Sequence, residues 1–263
     1  MSIPMNQEAH PQLATLYRDD FYKSQMEGSL RSAIKYVDFL LTICKPSSVV
    51  DLGCGRGTWL KAFKDRGVST VVGYDGAWNS QDKMIDKSIV FFSVDLNMPI
   101  STATKERYDL AMSLEVAEHL EASSAATIID SLTALSDTVL FGAAYTKQGG
   151  TNHINEQPHS YWAKLFASHD YLPYDLFRPI FWGDDDIEFF YRQNTFLYVK
   201  KDTLVTKLLC EAKYQPLLNI SFMDCIHPIL YKAKLERFSA KAFKRRLRQR
   251  LGQLVARAIP QPN

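Results

Sequence analysis

Apolar residues in this chain follow two alternating rhythms. Short apolar runs (Val49-Val50, Val71-Val72-Gly73-Tyr74, Ile89-Val90-Phe91-Phe92, Leu110-Ala111-Met112 and Val139-Leu140-Phe141-Gly142-Ala143) are separated by longer stretches whose apolar positions recur at helical spacing. Runs of that length predict buried strands, and the intervening pattern predicts helices. Strand and helix in alternation predict an α/β fold with a parallel, doubly wound sheet, because each crossover must return over a sheet face. Further on, Asp186-Ile187-Glu188-Phe189-Phe190-Tyr191 and Thr195-Phe196-Leu197-Tyr198-Val199 flank Arg192-Gln193-Asn194. That short gap predicts a hairpin, not a crossover.

Ahead of the first run, Leu30, Ile34, Val37, Leu40 and Leu41 keep helical spacing up to Lys45-Pro46, so residues 1–46 are expected to form a helical cap on a core spanning 47–200. After Lys200-Lys201 the pattern predicts a helical extension over 201–263. Its part from Lys241 to Arg257 carries seven Lys or Arg, with Phe243, Leu247, Leu251 and Leu254 on one face. Such a helix serves as a solvated face, an arm for RNA phosphates or an interfacial anchor at the inner membrane surface.

Composition narrows the class. With 46% hydrophobic and 23% charged residues the chain is expected to fold as a globular protein, and a formal charge of +2 disfavours nucleic acid as a partner without excluding it. Cys44, Cys54, Cys210 and Cys225 form no CxxC pair, and no apolar leader precedes them, which leads us to expect reduced thiols and a cytoplasmic location. No run approaches the roughly 20 apolar residues of a spanning helix. Oligomeric state is not legible.

The first apolar run ends in Asp51-x-Gly53-x-Gly55-x-Gly57, a strand-to-helix turn at the carboxyl edge of the sheet, where such folds bind ligands. A dinucleotide turn is spaced GxGxxG, and no Gly-Lys-Ser/Thr follows for a nucleoside triphosphate. Val49-Val50-Asp51-Leu52-Gly53-Cys54-Gly55-Arg56-Gly57 resembles the first motif of the class I S-adenosylmethionine-dependent methyltransferases. The resemblance covers about residues 47–200 and implies a Rossmann-like seven-stranded sheet whose last strand is antiparallel. Carried over by position, Gly53 and Gly55 approach the methionine part and Asp51 orients the turn. Asp75 accepts the ribose hydroxyls, and Asp95 takes the adenine amine with Leu96 beside the ring.

The fourth run leads into Glu115-Val116-Ala117-Glu118-His119. If this stretch is helical, Glu115, Glu118 and His119 share a face and, with His153 from the loop after the fifth run, form a candidate divalent-metal set. Two carboxylates lean it toward Mg or Mn over Zn. The set resembles that of small-RNA 2′-O-methyltransferases and, in its first part, of ubiquinone-pathway O-methyltransferases. In metal-free relatives of the same pattern, Glu115 borders the cofactor and His119 caps a helix. His119 or His153 is then the candidate general base.

Tyr145, His153, Asn155, Glu156, His159 and Tyr161 crowd the region after the fifth run and suit a polyhydroxylated acceptor. The segments His153-Ile154-Asn155-Glu156-Gln157-Pro158 and Tyr191-Arg192-Gln193-Asn194 are similar to bacterial methyltransferases associated with surface polysaccharides. The resemblance thus implies O-methylation of a sugar or sugar-linked hydroxyl. The alternatives are RNA ribose 2′-O-methylation and a non-catalytic S-adenosylmethionine-binding protein.

Overall fold

The computed structural model describes residues 19–100 and 107–258. Its first compact unit runs to Cys225 and is built on one sheet of seven strands: β1 (Ser48–Leu52), β2 (Thr70–Asp75), β3 (Val90–Ser93), β4 (Leu110–Leu114), β5 (Thr138–Gly142), β6 (Tyr171–Tyr174) and β7 (Phe196–Lys200). The order across the sheet is β3-β2-β1-β4-β5-β7-β6. The first five strands are parallel to one another, while β7 is antiparallel to both β5 and β6. Chain order reverses direction between β1 and β4, so the loops after these strands open a crevice at the carboxyl edge.

Alternation along each strand divides the core in two. Val49, Leu110, Met112, Leu140, Leu197 and Val199 point into one cluster, and Val50, Ala111, Val139, Phe141, Phe196 and Tyr198 into the other. The first cluster is covered by α1 (Asp19–Leu40) and α2 (Thr58–Lys64) through Tyr36, Val37, Trp59 and Phe63. The second is covered by α3 (Ala125–Leu135) and α4 (His159–Ala167), which contribute Ile128, Leu132, Trp162 and Phe166. Each such side chain stabilises the fold by roughly 1.5–3 kcal/mol when fully buried, so both faces need their helices. Edge strand β3 is less covered, with Val90 48% and Phe92 47% exposed.

After β6 comes α5 (Arg178–Phe181); where a hairpin was expected over 186–199, the chain forms a short helix, α6 (Phe189–Asn194), and β7 pairs with β6. The reason is polar. Arg192, Gln193 and Asn194 are buried, and the helix brings their side chains to partners that an exposed turn would not reach. The cap is tied down by the same region: Lys35 pairs with Asp184 and Asp186, and the Tyr36 hydroxyl donates to the carbonyl of Tyr191. The part of the expected cap before residue 19 lies outside the described residues.

After β7, α7 (Leu204–Glu211) and a 3-10 turn at Ile220–Met223 stay with the sheet. The Leu217 amide donates to the carbonyl of Pro173, and Arg178 donates to those of Phe222 and Met223. The second unit, from Ile226 onward, holds one long helix, α8 (Pro228–Ala258). Phe238 and Phe243 on it are exposed. The side chains of Leu247, Leu251 and Leu254, expected on one face, lie outside the described residues. Among the described residues no helix is long and apolar enough to cross a membrane, and all four cysteines are free thiols.

Candidate functional site

At the end of β1 the chain turns with Gly53 at φ 87° and Gly55 at φ 53°, in the left-handed region where a side chain is strained. The two glycines are needed for different reasons. A Cβ on Gly53 would stand 2.3 Å from Cγ2 of Val116, whereas one on Gly55 would enter open space. The amides of Gly53 and Cys54 both donate to the carbonyl of Tyr74, which fastens the turn to β2.

Asp75 ends β2 and grips that turn. Its carboxylate accepts from the amide of Gly55 at 2.6 Å and from Gly76 at 2.6 Å. Asn79, from the next loop, donates to the Gly55 carbonyl and accepts from Arg56, clamping the turn on its other side. Sequence reasoning passed over Asn79. Burial raises the pKa of Asp75 while the two amides oppose the rise, and burial with the nearby Asp75 charge pushes Asp51 well above the usual carboxylate range. Asp95 is exposed and accepts from its own turn at Asn97, with Leu96 buried next to it.

A cavity opens on the turn. Asp51, Gly53, Cys54, Gly55 and Arg56 line it, with Thr58 and Trp59 of α2, Leu114 and Glu115 after β4, Met26 and Ser29 of α1, and Phe190 and Tyr191 of α6. Of these, Met26, Ser29, Phe190 and Tyr191 were not singled out from the sequence as cofactor-site residues, because nothing local ties them to the glycine motif.

The segment after β4 is not the helix that the spacing suggested. The Glu115 amide continues the ladder to the Gly142 carbonyl, and the residue then turns with φ 56° into a 3-10 turn at Ala117–His119. The carboxylate of Glu115 is held by two amides, Asn194 Nδ2 at 2.8 Å and Gln148 Nε2 at 3.2 Å. Asn194 Oδ1 in turn lies 3.0 Å from His159 Nε2, and the other ring nitrogen of His159 lies 2.8 Å from the Met223 carbonyl; the neutral ring donates to one of the two. His159 is therefore a buried packing residue, kept neutral because burial lowers its pKa. Burial raises Glu115 to about 7 despite those two amides.

Glu118, His119 and His153 come together, with Glu115 outside the group but close enough for its carboxyl to interact with that of Glu118. One ligand atom of each lies within 4.8 Å of the others. Glu118 is fully buried and neither carboxylate oxygen has a hydrogen-bond partner; burial and the charge of Glu115 push its pKa well up. His119 Nδ1 lies 3.2 Å from the Asn152 carbonyl and His153 Nδ1 2.9 Å from Glu156 Oε1, which leaves both Nε2 atoms as the ligand side. Such outer partners fix tautomer and ring orientation at metal sites. Burial, then the neighbouring His153, lowers His119 to about 4, so it is neutral and ready to ligate at ordinary pH. The packing of His153 depends on Gly150, where a Cβ would sit 2.2 Å from its Nε2. Two imidazoles and one carboxylate are a set for Mn, Fe or Zn more than for Mg, so the Mg leaning of a two-carboxylate set does not carry over.

Of the residues expected to meet an acceptor, three are occupied. Asn155 donates to the Ala117 carbonyl, Glu156 accepts from Gly149 and holds His153, and His159 belongs to the Asn194 network. Tyr145 and Tyr161 remain part-exposed.

Comparison with known proteins gives a consistent result. No curated protein matches the chain. Among solved structures, an O-methyltransferase family protein from Burkholderia thailandensis superposes with TM-score 0.53 at 16% identity, over 73% of this chain and 63% of that one. Human N-acetylserotonin methyltransferase, in complex with SAM, gives TM-score 0.50 at 14% identity over 74% of this chain and 60% of its own. The methyltransferase domain of bacterial CtHen1-C gives TM-score 0.48 at 17% identity, over 65% of this chain and 97% of that one. At such identities the likeness is one of fold. The family described as "Methyltransferase domain" matches residues 22–172, from the cap into the start of β6, and with more than half its length matched the chain belongs to that family of enzymes.

Proposed function

We propose that the chain is an S-adenosylmethionine-dependent O-methyltransferase that acts on a hydroxyl of a sugar or sugar-linked small molecule, with a divalent cation at Glu118, His119 and His153. The observation that carries the cation is the Glu118 carboxyl, fully buried beside two imidazoles whose Nδ1 atoms are engaged by outer partners, with a ligand atom of each of the three within 4.8 Å of the others. Isolated buried carboxylates are costly, and such groups are retained where they are neutralised or hold a cation. When bound, the cofactor supplies an electrophilic methyl group on a sulfonium. A cation with open positions lowers the pKa of a coordinated hydroxyl and orients it.

The chain's own residues do the remaining work. Gly55 leaves room for the donor, and Asp75 offers a carboxylate at the end of β2 suited to a ribose diol. Glu115, on the cavity side and outside the three-residue metal group, borders the reacting region with its carboxylate fixed by Asn194 and Gln148. In-line positioning of the acceptor oxygen contributes much of the rate in a direct displacement. Half-buried Tyr145 and Tyr161 supply ring faces for a sugar, and the segment similarity noted above supports that acceptor class.

The deciding experiment is a screen of nucleotide sugars, glycans, quinone precursors and short RNAs with labelled cofactor, after chelation and with Mn²⁺, Mg²⁺ or Zn²⁺ restored. Transfer to sugars only with an added ion is expected. Transfer to RNA alone, falling steeply with salt, replaces the acceptor class and makes the basic end of α8 a phosphate arm. Peripheral contact of that end with anionic lipid is proposed on its charge, and cosedimentation with anionic but not neutral vesicles is the expected result.

Asp75→Ala is expected to weaken S-adenosylhomocysteine binding about 10-fold to 100-fold, the worth of hydrogen bonds to a charged group. Calorimetry giving wild-type affinity removes Asp75 from the cofactor site.

A further inference from the structure

At the β3 edge the sheet ends in an uncharged strand, Val90-Phe91-Phe92-Ser93, with Val90 and Phe92 about half exposed. Edges of this kind recruit further strands unless charge, proline or a cover prevents it. Here the cover is one side chain. Gln81, in the 3-10 turn Gln81–Lys83, accepts from the Phe91 amide at 2.9 Å through Oε1 and donates to the Ile89 carbonyl at 2.8 Å through Nε2. Those are the two bonds that a further parallel strand would make around Val90, so a single carboxamide stands where a strand would stand.

Beneath the cover the strand is complementary to itself. The Phe91 amide faces outward, so a two-fold axis at Phe91 joins two copies of that residue as a hydrogen-bonded antiparallel pair. The same axis sets Val90 against Phe92 of the second copy and Phe92 against its Val90, the pairing of β-branched with aromatic side chains that antiparallel strands favour. Four positions out, it brings exposed Lys87 toward Asp95 of the second copy, and exposed Asp95 toward its Lys87. Opposite charges placed so add little strength at a surface, but they fix register.

We propose that the β3 edge is a self-pairing surface of this chain, held shut by Gln81, and that its partner is a second copy joined antiparallel through Phe91. Residues 81–93 neither line the cavity nor join the metal group, so this surface stands or falls apart from the methyltransferase reading.

The test is sedimentation velocity on the full chain over a range of protein concentrations, with hydrogen exchange at the Phe91 amide as a second readout. Wild type is expected to be monomeric, its Phe91 amide protected by Gln81 at every concentration. Gln81 is exposed, so Gln81→Ala leaves the core untouched. That variant is expected to become dimeric as concentration rises. When dilute, its Phe91 amide should exchange about 10-fold faster than in the wild type, and in the dimer the protection should return. Adding Phe92→Lys should restore the monomer. Adding Lys87→Glu instead should weaken the dimer, and Asp95→Lys on top of it should strengthen the dimer again. A Gln81→Ala chain that stays monomeric overturns the proposal, whichever other strand the edge accepts. A dimer that survives Phe92→Lys overturns it too, because its interface lies elsewhere. A wild type that is already dimeric also overturns it, since Gln81 then shuts nothing.

Discussion

Glu118→Gln is expected to abolish cation binding and cation-stimulated methyl transfer together. Losing an outer-shell partner at a metal site costs roughly 10-fold to 100-fold in affinity, and losing a ligand costs more. A drop of at least about 100-fold in Mn²⁺ or Zn²⁺ affinity is therefore expected on that scale. Calorimetry reads it without knowledge of the acceptor. The protonation of Glu118 supplies an independent signature. Its pKa in the fold is held well above its ordinary 4.5 by burial, so binding a cation must expel a proton. Affinity should climb by up to about tenfold per pH unit until Glu118 ionises unaided. Stability carries the opposite sign. A carboxyl whose folded pKa is raised favours the fold fully below its unfolded pKa, and this contribution is lost as pH rises toward the folded value. Without an ion, Glu118→Gln should therefore gain in Tm relative to the wild type as pH rises above the ordinary carboxylate range, and with an ion the order should reverse. A variant that binds cations as well as the wild type, or a wild type that binds none at any pH, ends the metal assignment.

How much of this was legible in the residues differs from element to element. The five parallel strands were, since strand-length apolar runs alternate with helical stretches, as a buried parallel sheet with crossover helices requires. Asp75 was legible for a related reason: a strand that ends in an acid at the carboxyl edge places that acid beside the neighbouring turn, and its carboxylate meets the Gly55 amide. Residues 186–194 misled because Phe189-Phe190-Tyr191 is apolar in a run too short to separate strand from helix. The partners that decide the matter, Glu115 and Gln148 for Asn194 and Gln148 for Gln193, lie 79, 46 and 45 positions away. Glu115 shows a different limit. Its spacing from Glu118 and His119 fits a helix face, but the backbone turns through φ 56° at that residue, a conformation rare outside glycine that no local pattern announced. This turn is what sends Glu115 to the cavity while Glu118 goes to the histidines. The hydroxyls of Ser29 and Tyr191 meet across 162 positions of chain, so their pairing belongs to the tertiary fold alone.

Gly53→Ala and Gly55→Ala, measured side by side, should separate the two demands on the turn. For Gly53 the added methyl meets Val116 at 2.3 Å, and the residue must hold φ 87°. Left-handed backbone costs a non-glycine residue roughly 1–2 kcal/mol, and overpacking a tight contact costs a further 1–3 kcal/mol or so. Against a total stability of about 5–15 kcal/mol the variant still folds, with a Tm lowered by several degrees. Adding Val116→Ala should recover the packing part and leave the backbone part. For Gly55 the methyl meets nothing within 4 Å, and the strain at φ 53° is the whole structural cost. Its stability should fall by only about 1–2 kcal/mol. Yet the new methyl stands in the cavity proposed above for the donor, so S-adenosylhomocysteine affinity should fall by two orders of magnitude or so, as when backbone can no longer approach its ligand closely. The contrast is diagnostic because an unstable turn and a blocked one have opposite ratios of Tm loss to affinity loss. Wild-type affinity in Gly55→Ala places the donor somewhere other than over this turn.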